Sequence, residues 1–240
     1  MKRVLKLCCT AACLAVALLS VNHVSADVLV GGVNLGPGFI IGGNGQLRNE
    51  NLQITAANGG GLFFLLDEDR NNIITQNTTT TIDIEAGSFI VQRDTFLGND
   101  AGGNLTFNLS GGVAQFDDDL GIGRDEATTL VTISGGAFNV AGALSFDVPR
   151  GDGTNLGFGT LDFTADSTGS LTVAGLDAAG FEAFFDAGDI TFDGGAVGTF
   201  DEFFQVSGST LSVATSVVPE PSSLALIGLG ALGLMSRRRK

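Results

Sequence analysis

The sequence predicts an all-β chain built as a single-stranded parallel β-solenoid, β-helix-like, with three short strands per rung of about 24–30 residues and a short capping helix. Three observations carry this. Gly87, Gly112 and Gly136 mark a repeat at intervals of 25 and 24 residues. Around each glycine, apolar residues alternate with a spacing of two, which puts each pair on one face of an extended segment. Phenylalanine supplies every aromatic ring, 18 in all with no Trp or Tyr, and the plainest use of such rings is packing in a core. The alternative architecture is an antiparallel β-sandwich, which also has short alternating strands but no reason to keep three registers in step.

In chain order, residues 1–26 read as a secretory signal peptide. Lys2, Arg3 and Lys6 precede an apolar run from Leu7 to Leu19, and small residues at Ser25 and Ala26 suit cleavage after Ala26. Cys8, Cys9, Cys13 and His23 all lie inside it. The body then spans 27–217, a length that fits one domain. Leu52 and Ile54 form an early inward pair, 30 residues before the first full rung. Asp67, Asp69 and Asn71 in "DEDRNN" have the alternate spacing of a calcium loop, but Asn72 replaces the turn glycine and Thr78 stands where a bidentate Glu belongs. A solvated polar turn is the simpler reading of that stretch.

The rungs follow. Their first strands carry Ile82 and Ile84, Phe107 and Leu109, Val131 and Ile133. Their second strands carry Phe89 and Val91, Ala114 and Phe116, Phe138 and Val140. The third strands carry Thr95 and Leu97, Leu120 and Ile122, Leu144 and Phe146. Asp117, Asp118 and Asp119 fall between two of these strands; only alternate ones share a face of a strand, so surface charge is expected rather than a shared metal. "DVPRGDGTNLGFG", from Asp147 to Gly159, reads as a loop bulging from one corner, and its Arg150-Gly151-Asp152 tripeptide as a chance match.

Beyond the loop, the first-strand pair recurs as Leu161 and Phe163, then Ile190 and Phe192. "GLDAAGFEAFFDAG" interrupts the alternation with Leu176, Phe181, Phe184 and Phe185 at near-helical spacing. Asp177 is placed to cap the start of this helix and Gly188 to end it. A helix there would cover strand edges that a stack otherwise leaves open.

Residues 218–240 have a different character. Pro219, Glu220 and Pro221 introduce an apolar stretch from Leu224 to Met235, which Arg237, Arg238, Arg239 and Lys240 close. Gly228, Gly230 and Gly233 spell a dinucleotide fingerprint, yet too few residues follow to build a βαβ unit or supply the ribose-binding acid. A Pro-Glu-Pro triplet, short apolar helix and basic end together resemble the PEP-CTERM sorting tail of exported bacterial proteins. That resemblance implies a short transmembrane helix that anchors the protein in the inner membrane, basic end inside. An exosortase-type enzyme then cuts near the triplet and frees the protein to the cell surface or the extracellular matrix. The cations fit the charge rule for a cytoplasmic end, while the apolar run is short of the ~20 residues of an ordinary span.

Charge and composition narrow the function. The body holds five arginines, no lysine and 25 acidic residues, hence a net charge of −20. Nucleic acid and anionic lipid both require a cationic surface and are poor partners for this body, and no nucleic acid is expected. Without Cys, His or Lys in the body, thiol and imidazole nucleophiles, Schiff bases and the usual zinc ligands are absent. The residues point to no catalytic group and to no cofactor, beyond a Ca²⁺ at Asp67, Asp69 and Asn71. The expectation is an exported non-catalytic cell-surface or extracellular-matrix protein, not an enzyme. Its expected partners are the processing exosortase, the inner membrane transiently, and an exopolysaccharide. The alternative is a β-helix polysaccharide lyase or hydrolase, or a carbohydrate-binding adhesin.

Overall fold

A computed structural model describes residues 28–30, 33–34, 38–42, 46–47, 51–55, 61–66, 72–76, 78–149, 153 and 156–214, with side chains from residue 51 onward except in 61–66 and 72–76. The strands are β1 (Val28–Val30), β2 (Val33–Asn34), β3 (Gly38–Gly42), β4 (Gln46–Leu47), β5 (Leu52–Ile54), β6 (Gly61–Leu66) and β7 (Asn72–Gln76). They continue as β8 (Thr79–Ile84), β9 (Gly87–Val91), β10 (Thr95–Asn99), β11 (Asn104–Leu109), β12 (Val113–Phe116) and β13 (Leu120–Arg124). β14 (Thr128–Ile133), β15 (Ala137–Val140), β16 (Leu144–Val148), β17 (Phe158–Phe163) and β18 (Ser170–Val173) precede a helix, α1 (Ala178–Ala187). β19 (Ile190–Phe192), α2 (Phe200–Phe203), β20 (Phe204–Ser207) and β21 (Thr210–Val213) complete the described chain.

The chain is all-β and β-helix-like: its short strands fall into three mainly parallel sheets, visited in turn. From β5 to β16 each group of three strands places one in the first sheet, one in the second and one in the third. The first sheet runs β19-β17-β14-β11-β8-β5-β1-β2, the second β20-β21-β18-β15-β12-β9-β6-β3 and the third β16-β13-β10-β7-β4. Successive strands within each sheet pair in parallel, which a sandwich of antiparallel strands does not do. Among the described strands antiparallel pairing occurs at the two ends, where β1 joins β2 and β5, and β21 joins β18 and β20; a single antiparallel bridge also links Arg124 to Leu156.

The register is the one the repeat predicts. Leu52, Ile82, Phe107, Val131, Leu161 and Ile190 are consecutive partners across the first sheet. All six are at most 1 % exposed. Size alternates across the core. In the second sheet Ala114 lies between Phe89 and Phe138, and Phe107 of the facing sheet meets both rings edge-on at 5.5 and 5.8 Å. A ring at position 114 would have to share that space, so the methyl group there is a packing choice.

The repeat glycines hold the corners. Gly87, Gly112 and Gly136 have φ of 79°, 70° and 75°, a region that costs an L-residue energy. A Cβ on Gly112 would lie 2.6 Å from the carbonyl oxygen of Gly87, and one on Gly136 2.6 Å from that of Gly112. Each corner therefore stacks backbone directly on backbone.

In the last rung, α1 occupies the position in chain order of a third-sheet strand, between β18 and β19. Asp177 caps it by accepting the Gly180 N–H at 3.0 Å, and Gly188 ends it at φ 84°. This accounts for the one inward residue that departs from expectation: Phe146 is only half-buried, and its ring meets Phe184 of α1 at 5.1 Å. Phe185, Phe192, Phe200, Phe203 and Phe204 form a plug beside it, with Phe192 and Phe203 stacked at 4.6 Å. Among the described residues no helix is long and apolar enough to cross a membrane. The Leu224–Met235 segment lies outside them.

Candidate functional site

The chemistry-bearing cluster within the described residues sits at the corner between the second and third sheets. β9 and β12 end there, and their chains turn into β10 and β13 through Gln92–Asp94 and Asp117–Asp119. The turns stack, since Thr95 pairs with Leu120 and the Thr95 N–H donates to the Asp119 carbonyl at 2.8 Å. Asp94, Asp118 and Asp119 thereby bring one carboxylate oxygen each within 4.8 Å of one another. Arg93, at φ 66°, immediately precedes Asp94.

The electrostatics follow from this crowding. Burial first, then the charges of Asp118 and Asp119, raise the Asp94 carboxyl above its ordinary range; Arg93 and the Asp94 backbone hydrogen bond pull the other way. Asp119 is partly committed to structure, because its Oδ1 accepts the Ala143 N–H of the next rung at 2.7 Å. Such a corner can ligate a hard cation through oxygen or share a proton among like charges.

The exposed Asp117–Asp119 are the surface charge expected, but their geometry differs from a strand's, and a third carboxylate joins them. Asp117–Asp119 lie in a turn, where strand alternation does not apply, so Asp118 and Asp119 do converge. Asp117 instead accepts a hydrogen bond from Gln115 Nε2. Their third partner, Asp94, was missed although the repeat contained the signal, since Asp94 follows Gly87 by the same seven positions that separate Asp119 from Gly112.

A second pair lies near α1: the Asp189 carboxyl is raised by burial and then by Asp147, whose Oδ1 accepts the Gly159 N–H at 2.7 Å. Of the two described arginines, Arg93 adjoins the acidic corner, where its charge acts on Asp94, and Arg124 lies elsewhere. Arg93 precedes β10, while Arg124 ends β13 with its guanidinium carbon 4.2 Å above the Phe96 ring. Asp67, Asp69 and Asn71, the Arg150–Asp152 tripeptide, Pro219, Glu220, Pro221 and Arg237–Arg239 all fall outside the described residues.

Comparison with known proteins bears on the tail. Residues 217–240 match the family model of the PEP-CTERM protein-sorting motif. No curated protein matches the chain, and no solved structure does.

Proposed function

We propose that this chain, a PEP-CTERM protein by the motif at residues 217–240, is an exported, exosortase-sorted, non-catalytic protein of the cell surface or extracellular matrix. The sorting motif is the observation that carries the reading. A membrane-anchored stage followed by release is what such a motif implies. The finer assignment divides the chain into a signal peptide at 1–26, a body at 27–217 and a tail at 218–240. In the tail, Pro219, Glu220 and Pro221 form the recognition triplet, a short helix crosses the inner membrane and Arg237, Arg238 and Arg239 hold the cytoplasmic side.

The body is assigned as a three-faced β-solenoid that works as a rigid acidic spacer, with an exopolysaccharide as the surrounding polymer. The in-register parallel pairing of β8, β11, β14 and β17 supports that architecture. Support for a non-catalytic body comes from its composition, without Cys, His or Lys, and from the separate places of the two described arginines, Arg93 before β10 and Arg124 at the end of β13.

The experiment is fractionation of the producing cell with mass spectrometry of both termini. The chain should appear outside the inner membrane, lacking residues 1–26 and trimmed near Pro219. An intact tail on a cytosolic chain would refute the assignment. Incubation with a panel of acidic polysaccharides and Ca²⁺ should release no new reducing or unsaturated ends; release would favour the lyase or hydrolase.

A further inference from the structure

We infer that α1 is an acid-tightened clasp, which seats firmly when a proton occupies the Asp147–Asp189 pair at its C-terminal end and loosens when both carboxylates are ionised. The pair sits where the helix meets the column. β16 carries Phe146 and Asp147 side by side, and α1 answers with Phe184 and, just past its last turn, Asp189. The Phe146 and Phe184 rings meet at 5.1 Å. The Asp189 N–H donates to the Phe184 carbonyl at 2.9 Å, while the Asp189 carbonyl accepts the Leu161 N–H at 2.8 Å and so begins the pairing of β19 with β17. Asp189 is therefore the joint between helix and sheet. Asp147 reaches the same joint from the other side, because its Oδ1 accepts the N–H of Gly159, two residues before Leu161, at 2.7 Å.

The surroundings do not offset the charge. Both carboxylates belong to half-buried residues, and α1 has no basic residue in its last turn, where the helix end already carries partial negative charge. The other titratable groups on the adjoining elements are acidic too. Glu182 and Asp186 are exposed on α1, Asp177 caps its far end, and Asp193 is exposed after β19. Asp162 of β17 is held by the Thr191 hydroxyl at 2.6 Å and the Gly194 N–H at 3.0 Å. Arg124 of the neighbouring β13 pairs in register with Val148, yet its guanidinium is stacked on Phe96. Burial first, then the charge of Asp147, hold the Asp189 carboxyl above its ordinary range.

The direction of the effect follows by linkage. With α1 lifted away, Asp189 returns to water and leaves Asp147, so its carboxyl resumes the ordinary range. The seated helix then binds the proton more tightly than the lifted one, and acid favours the seated state. As pH rises through the window above 3.8 that advantage is lost, and two like charges face each other across the joint. Local opening of this kind needs far less free energy than unfolding of the column. What it uncovers is apolar and unpaired: Phe146, Phe184 and Phe185 are packed only partly buried against the core, and β16 is the last strand of the third sheet. The helix covers an edge strand, and its hold on that edge varies with pH.

The test is amide hydrogen exchange of the chain as recovered from the producing cell, over a pH series from below 3.8 to neutrality and corrected for the intrinsic exchange rate. In wild type the α1 amides should lose protection as pH rises through that window, a loss that the amides of β11 and β14 do not share. Asp189→Asn should abolish the loss and give α1 at neutral pH the protection that wild type shows in acid. Asp147→Asn keeps an acceptor for the Gly159 N–H and suits the left-handed φ of 51°, so it should lessen the loss without removing it, burial being unchanged. Asp186→Asn removes a charge from the last turn of α1 outside the pair and should leave the loss in place. Circular dichroism confirms that each variant is folded. Flat α1 protection in wild type overturns the inference, as does a loss that persists in Asp189→Asn or is untouched by Asp147→Asn. So does a loss that Asp186→Asn removes as fully as Asp189→Asn does.

Discussion

Replacing Gly112 by alanine tests whether the corners set the stability of the stack. Gly102 supplies the reference, because both glycines have positive φ, 70° and 84°. Alanine in the left-handed region costs about 1–2 kcal/mol at either position. The surroundings separate the two sites. Nothing lies within 4 Å of a Cβ on Gly102, whereas a Cβ on Gly112 meets the Gly87 oxygen at 2.6 Å and the Ala86 carbonyl carbon at 2.8 Å. These are backbone atoms of a paired rung and cannot swing aside, so an overpacking cost of about 1–3 kcal/mol is added. Gly112→Ala should lose about 2–5 kcal/mol and Gly102→Ala about 1–2 kcal/mol, read from urea or thermal unfolding. Stability in a stacked fold is close to a sum of units and their interfaces, so the Gly112 variant should also broaden the transition or split it. Equal losses in the two variants would show that conformational freedom alone keeps glycine at the corners, and the stacking argument would fail.

Three further outcomes follow from the core, the acidic corner and the helix. Phe107→Ala empties the site between Phe89 and Phe138 and should cost about 3–5 kcal/mol, against a smaller loss for half-buried Phe146→Ala, both from equilibrium unfolding. Asp94→Asn should stabilise the fold at neutral pH. A carboxyl raised above 3.8 in the folded chain binds protons more readily there than when unfolded, so in wild type stability falls as pH rises through the window above 3.8, and the variant should flatten that slope. Asp177→Ala removes the Gly180 cap and should cost about 1 kcal/mol, with a matching loss of protection in the amides of α1 by hydrogen exchange.

What the sequence disclosed is what repeats. The pairs at Ile82, Phe107 and Val131 were legible because a spacing of two marks one face of a strand, and a constant interval marks one register. The helix at Ala178–Ala187 was legible from its caps and aromatic spacing. Its place in the fold was not, since nothing in "GLDAAGFEAFFDAG" says that a helix takes the turn of a third-sheet strand. Phe146 looked like any other inward residue for the same reason: its burial depends on what the next rung lays over it. Asp94 was not legible beside the three adjacent aspartates because they are neighbours along the chain, whereas the cluster forms across it.

The plug of Phe185, Phe192, Phe200, Phe203 and Phe204 bears on how the chain reaches this structure. Synthesis delivers the first strands before the last, and each new strand can use the one before it as a template. Contacts between neighbouring rungs span only about 25 residues, which suits progressive growth over a search for distant partners. The plug draws its rings from α1, β19, α2 and β20, so it can close only once these last elements have been made. An upstream slip would leave those rings without a seat. The C-terminal cluster is thus the part of the fold that closes last.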